Sequence, residues 1–213
     1  MLPERIYQPP VEETTWRKII VCVLRHILNV LVKIEVITLE NMPKEGAVIL
    51  ASNHLSFYDG FVLLYAIPRP IFFMSKVETF RNSFYRFILY QMGAFPVKRG
   101  KFDRRSLLHA RRILRANQVL GMFPEGTRSY GKGLQSAKTG VAHLALKMNC
   151  PIVPVSINGT QFVLKKLFQR AEVCIKICKP IYPSADMKAV DLTQVVMRTL
   201  AKNLPYGLRG KYI

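Results

Sequence analysis

Hydrophobic and polar positions change period several times along the chain, and each change predicts an element. In segment 16–34, WRKIIVCVLRHILNVLVKI, Lys18, Arg25, His26, Asn29 and Lys33 fall on one side at 100° per residue. Trp16, Ile19, Ile20, Val23, Leu24, Ile27, Leu28, Val30 and Leu31 cover the other, which predicts an amphipathic helix with a cationic face. Arg17, Lys18, Arg25, His26 and Lys33 interrupt it, and no apolar run approaches the roughly 18 residues of a membrane-spanning helix. Two readings stay open: a helix packed on the domain core, or one lying in a membrane interface.

Short apolar or alternating runs follow in turn with helix-length segments. Strands are predicted at IEVITLE, AVILAS, PIFFMSK, AFPVKR, QVLGMF, PIVPVSI and EVCIKIC. Helices are predicted at DGFVLLYAI, NSFYRFILYQM, DRRSLLHARRILRAN, SAKTGVAHLALKMN and DLTQVVMRTLAKNL. This order implies an α/β fold, a mostly parallel central sheet flanked by helices, with ligands at the carboxyl ends of the strands. The expected division is an N-terminal segment, 1–34, and one domain, 35–213.

Charge narrows the partners. The 213 residues include 32 Lys and Arg against 13 Asp and Glu, a net charge of +19. Such an excess points to nucleic acid, an anionic membrane surface, or an acidic or phosphorylated partner. The basic run from Lys98 to Arg115 reads either as a solvated helix face or as a dock for anionic headgroups or an acidic carrier protein. A nucleic-acid module is the weaker reading, since no recognition signature appears. Cys22, Cys150, Cys174 and Cys178 form no C-x-x-C pair and read as reduced thiols. The acidic, Pro-rich start argues against a secretory signal.

The chemistry lies at two strand ends. NHLSFYDG follows the run AVILA and puts His54 five positions before Asp59. A tight turn could return the carboxylate to Nδ1 and leave Nε2 as a base; alternatively, Asp59 only caps the next helix. Downstream, VLGMFPEGTRSYGKG carries Glu125, Gly126, Thr127, Arg128 and Ser129 in a loop able to hold an anion. GTRSYGK matches the start of a phosphate loop, but Gly133 stands where the hydroxyl for Mg²⁺ belongs. Neither H-E-x-x-H nor G-x-S-x-G occurs. A base with its orienter, an anion loop and no evident protein nucleophile suit attack by a hydroxyl of the substrate.

NHLSFYD and FPEGTRS resemble the first and third motifs of the lysophosphatidate acyltransferase family of glycerolipid acyltransferases. GAFPVKR looks like the second motif, SKVETF like the family's Lys-x-Glu segment, and the likeness covers about residues 35–180. It implies acyl transfer from a thioester, acyl-CoA or acyl-carrier protein, to the hydroxyl of lysophosphatidate, with no metal, cofactor or acyl-enzyme. Glycerol 3-phosphate or another lysolipid is the alternative acceptor. His54 would be the general base and Asp59 its orienter. Arg99, Glu125, Gly126, Thr127 and Arg128 would bind the acceptor, with Lys76 nearby. The implied setting is peripheral, on an anionic membrane surface at the cytoplasmic face of the cell membrane, with a lipid substrate and no nucleic acid. Ser136-Ala137-Lys138 departs from the Pro-Phe that relatives often carry before the lysine.

Overall fold

The structure is a computed structural model that describes residues 14–98, 103–166, 169–184 and 186–212. Its centre is a seven-stranded sheet in the order β1-β7-β6-β2-β5-β3-β4. The strands are β1 (Val32–Ile37), β2 (Val48–Ser52), β3 (Ile71–Lys76), β4 (Ala94–Val97), β5 (Val119–Met122), β6 (Ile152–Asn158) and β7 (Ala171–Ile177). All neighbours run parallel except β6 and β7. The fold is the mostly parallel α/β sheet expected.

Burial on both faces explains the apolar strands. Every residue of β2 is buried. Ile49 and Ala51 face one core, Val48 and Leu50 the other. The first core includes residues of α4 (Arg104–Arg115), α5 (Gly140–Met148) and α6 (Ala189–Lys202). The second takes in α1 (Thr15–Leu31) and α2 (Asp59–Ala66). Between β3 and β4 lies α3 (Ser83–Gln91), none of whose residues is fully buried.

Two helices differ from the sequence expectation. The helix expected over 16–34 ends at Leu31, because Val32 already pairs with Ala171 at the sheet edge. Its single apolar arc is divided. Ile20, Leu24, Leu28 and Leu31 pack on the core, whereas Trp16, Ile19, Val23, Ile27 and Val30 are 49–70% exposed. Arg17 turns inward, donating to the Ile71 carbonyl at 2.6 Å and lying over the Phe72 ring. One half of the arc thus packs on the core, and the other half is exposed.

The other difference is α5, expected from Ser136 but starting at Gly140. The preceding amides are spent elsewhere: Gln135 on Glu125, Ala137 on the Tyr212 hydroxyl, Lys138 on the Pro124 carbonyl. The C-terminal residues brace this loop from behind, with Leu134 donating to the Leu208 carbonyl and Lys211 to the Ser136 hydroxyl.

Candidate active site

Register brings the two motif loops together. Ala51 of β2 pairs with Met122 of β5, so the chains leave the sheet side by side, with His54 and Glu125 each three residues further on. The loops then close on one another. Ser129 and Tyr130 donate backbone N–H groups to the carbonyls of His54 and Leu55, at 2.8 and 3.1 Å. Glu125 fastens the join: Oε1 accepts from the His54 amide at 2.7 Å, and Oε2 from the Gln135 amide at 2.8 Å.

His54 Nδ1 lies 2.7 Å from Asp59 Oδ2. An ionised carboxylate only accepts, so Nδ1 carries the proton and Nε2 presents its lone pair. No described protein group bonds Nε2. The imidazole stacks on Phe123, centroids 4.0 Å apart, and Phe123 stacks on Phe73 at 6.2 Å. Gly121 makes this possible, because a Cβ there would collide with the Phe73 ring. Asp59 is fully buried and opens α2, but its carboxylate turns back to the Ser56 amide at 2.8 Å. The carboxylate therefore faces His54 and the Ser56 amide instead of capping α2.

Two further groups hold this arrangement, and the sequence reading missed both. Asn53 grips Ile157 of β6 through both its amide oxygen and its amide nitrogen, at 2.7 and 2.9 Å. Thr160, just past β6, donates to Asp59 Oδ1 at 2.5 Å. A signal existed in the polar residues of SINGT at a predicted strand end, where such folds gather their chemistry.

The remaining candidates surround the pair differently. Thr127 and Arg128 are exposed, and the Arg128 guanidinium lies over the Tyr130 ring at 5.3 Å. Gly126 has φ +68°, a left-handed turn, and the Lys138 side chain runs beside it. Lys76 ends β3 at the same edge of the sheet, its ammonium 3.8 Å from Glu78. Arg99 lies outside the described residues.

Burial raises the Glu125 carboxyl from the ordinary value of 4.5 to about 7, with the Asp59 charge adding and the His54 and Gln135 amides opposing. Between those pH values the folded protein keeps a proton that the unfolded chain has released. Stability contributed by this group is therefore largest in acid and falls as pH rises through the window, by roughly 3 kcal/mol at most. Urea midpoints at pH 5 and pH 7.5 should drop more for the native protein than for Glu125→Gln. Equal drops would contradict this.

The acyltransferase family profile matches residues 33–158, more than half of the chain and all of the site loops up to β6. The chain belongs to the acyltransferase family. Among similar acyltransferases, the 1-acyl-sn-glycerol-3-phosphate acyltransferase of Borreliella burgdorferi is 27% identical, over 81% of this chain and 72% of that protein. The enzyme of the same name from Bacillus subtilis is 28% identical, over 75% and 79%. LPAT1 of Arabidopsis thaliana, a chloroplastic 1-acyl-sn-glycerol-3-phosphate acyltransferase, is 32% identical over 71% of this chain and 44% of its own length. The crystal structure of the 1-acyl-sn-glycerophosphate acyltransferase PlsC from Thermotoga maritima has the same fold. It aligns with a TM-score of 0.73 and 24% identity, covering 88% of this chain and 79% of that one.

Proposed function

We propose that this acyltransferase moves a fatty acyl group from an acyl thioester to the free hydroxyl of lysophosphatidate, forming phosphatidate for phospholipid synthesis. The observation that carries the reading is the His54–Asp59 contact of 2.7 Å at the end of β2, zipped to the Arg128 loop. Similar acyltransferases bear the names of 1-acyl-sn-glycerol-3-phosphate enzymes, which supports this acceptor.

His54 Nε2 removes the proton of the acceptor hydroxyl as its oxygen attacks the thioester carbonyl. The new C–O bond forms, the C–S bond breaks, and the thiolate leaves with the proton that the imidazolium returns. Asp59 steadies the imidazolium through Nδ1. Arg128, joined by Lys138 beside Gly126 and by Lys76, holds the acceptor phosphate. Glu125 keeps the loops joined and retains lone pairs for a glycerol hydroxyl. Either acyl-CoA or an acidic carrier protein suits the cationic exposed side of α4, with Arg104, Arg105, Arg112 and Arg115.

The lipid acceptor calls for a protein at the bilayer surface, on its cytoplasmic face. No described helix is long and apolar enough to cross a membrane. The outward stripe of α1, from Trp16 to Val30, supports a helix lying in the interface, with the exposed Lys18 on the same helix.

The deciding assay offers the purified protein labelled acyl thioesters together with lysophosphatidate, glycerol 3-phosphate or a zwitterionic lysolipid. Each acceptor is presented with anionic vesicles. Phosphatidate should be the main product, and the protein should sediment with the vesicles. Preference for another acceptor would displace the lysophosphatidate assignment. Protein left wholly in the supernatant at low salt would refute the interfacial helix.

A further inference from the structure

We infer that Thr160 is a positioning residue for the His54–Asp59 pair, holding the face of the carboxylate that the imidazole does not use. The inference rests on the acyltransferase reading for what the pair does, but not for how the pair is built.

Asp59 is wholly removed from water, so donors must replace its hydration if its charge is to persist. Oδ2 is served by His54 Nδ1 and by the Ser56 amide. Oδ1 has Thr160 at 2.5 Å and, far more weakly, the Ser56 hydroxyl at 3.5 Å. Thr160 is 1% exposed, and its hydroxyl is the only strong donor to Oδ1 among the described residues. Without it, the buried charge is left to His54 Nδ1 and the Ser56 amide, and the carboxylate loses the contact that fixes its plane.

The backbone is shaped to deliver that hydroxyl. Asn53 fixes β6 at Ile157 by two hydrogen bonds, one residue before His54 in the chain. The chain then turns at Gly159, whose φ of +98° and close approach to the Glu172 carbonyl leave no room for a side chain. A single 3-10 turn, Thr160–Phe162, follows and aims Thr160 at Asp59. The contact spans 101 residues of sequence, and its donor stands just beyond the stretch, 33–158, that the family profile matches.

The ionisable groups facing Asp59 among the described residues are His54 in its own loop and Glu125 from the loop after β5. Glu125 titrates near neutrality, so the measurement must follow His54 itself. With one donor lost, the anionic pair is destabilised relative to the pair carrying an imidazolium. His54 therefore holds its proton to higher pH.

The experiment compares Thr160→Val, which keeps shape and removes the donor, with Thr160→Ser, which keeps the donor. Thr160→Ala serves in place of the valine variant should that protein not fold. The donor-less variant should lose about ten- to a hundredfold in kcat, the range for one hydrogen bond to a buried charge, with the acceptor KM unchanged. The serine variant should recover most of the rate. In substrate-free protein, NMR of the His54 ring should show its titration moved to higher pH without the hydroxyl and restored by serine. An unmoved His54 titration with native kcat would overturn the assignment, and so would equal impairment of valine and serine variants. Because the titration needs no substrate, it decides the role of Thr160 even for a protein that leaves lysophosphatidate unacylated.

Discussion

His54→Ala protein turns over about 10²–10⁴ times more slowly than the native enzyme, the range for removing a general base. The loss is expected in kcat, since the role proposed for the imidazole is to take the hydroxyl proton as the C–O bond forms. Asp59→Asn separates the base from its orientation. An amide at that place can donate to Nδ1, which would move the ring proton to Nε2 and occupy the lone pair that attacks the hydroxyl. Turnover should fall in that variant too, with the acceptor KM preserved. Both measurements need folded protein, because alanine also removes the ring stacked on Phe123, so far-ultraviolet circular dichroism and melting are compared first. Near-native kcat in folded His54→Ala would end the general-base assignment.

The second large effect belongs to affinity. Arg128→Ala should raise the KM for the acceptor about ten- to a hundredfold while leaving the thioester KM close to native. A charge-assisted hydrogen bond to phosphate contributes roughly 1.5–3 kcal/mol, and the exposed guanidinium has no competing carboxylate among the described residues. Arg128→Lys should fall between, keeping the charge and losing the paired donors. The proposed thioester carriers bear phosphate themselves, which makes the ratio of the two effects the informative quantity. Equal increases in both constants would place Arg128 on the donor instead.

The sequence revealed element order well, because buried strands and half-buried helices leave different periods. It pointed to His54, Asp59 and the Glu125 loop because they stand at predicted strand ends, and the structure brings them together. Partnerships across the sheet were hidden. Nothing in the pattern of α1 says which half of its apolar arc meets a core, and Arg17 looks like any surface cation until the Ile71 carbonyl is seen beside it. The sequence also did not show that each Glu125 oxygen takes a backbone amide, a clasp between loops that adds to any part in holding substrate. The antiparallel β7 did leave a trace that was passed over: only 159–170 separates it from β6, with no predicted helix to carry a parallel crossover.

The strand order has a consequence for how a growing chain can assemble. At the sheet edge, β1 pairs with β7 alone, and the two stand 139 residues apart. At the centre, β2 and β3 are made early but are joined only through β5, which slots between them later. The clasp on Glu125 waits longer still, since its Gln135 loop leans on residues that reach Tyr212. During synthesis, then, α1 emerges before the sheet on which it packs, with both halves of its apolar arc uncovered. The loops that carry His54 and Glu125 would close fully only after Tyr212 has been made to brace them.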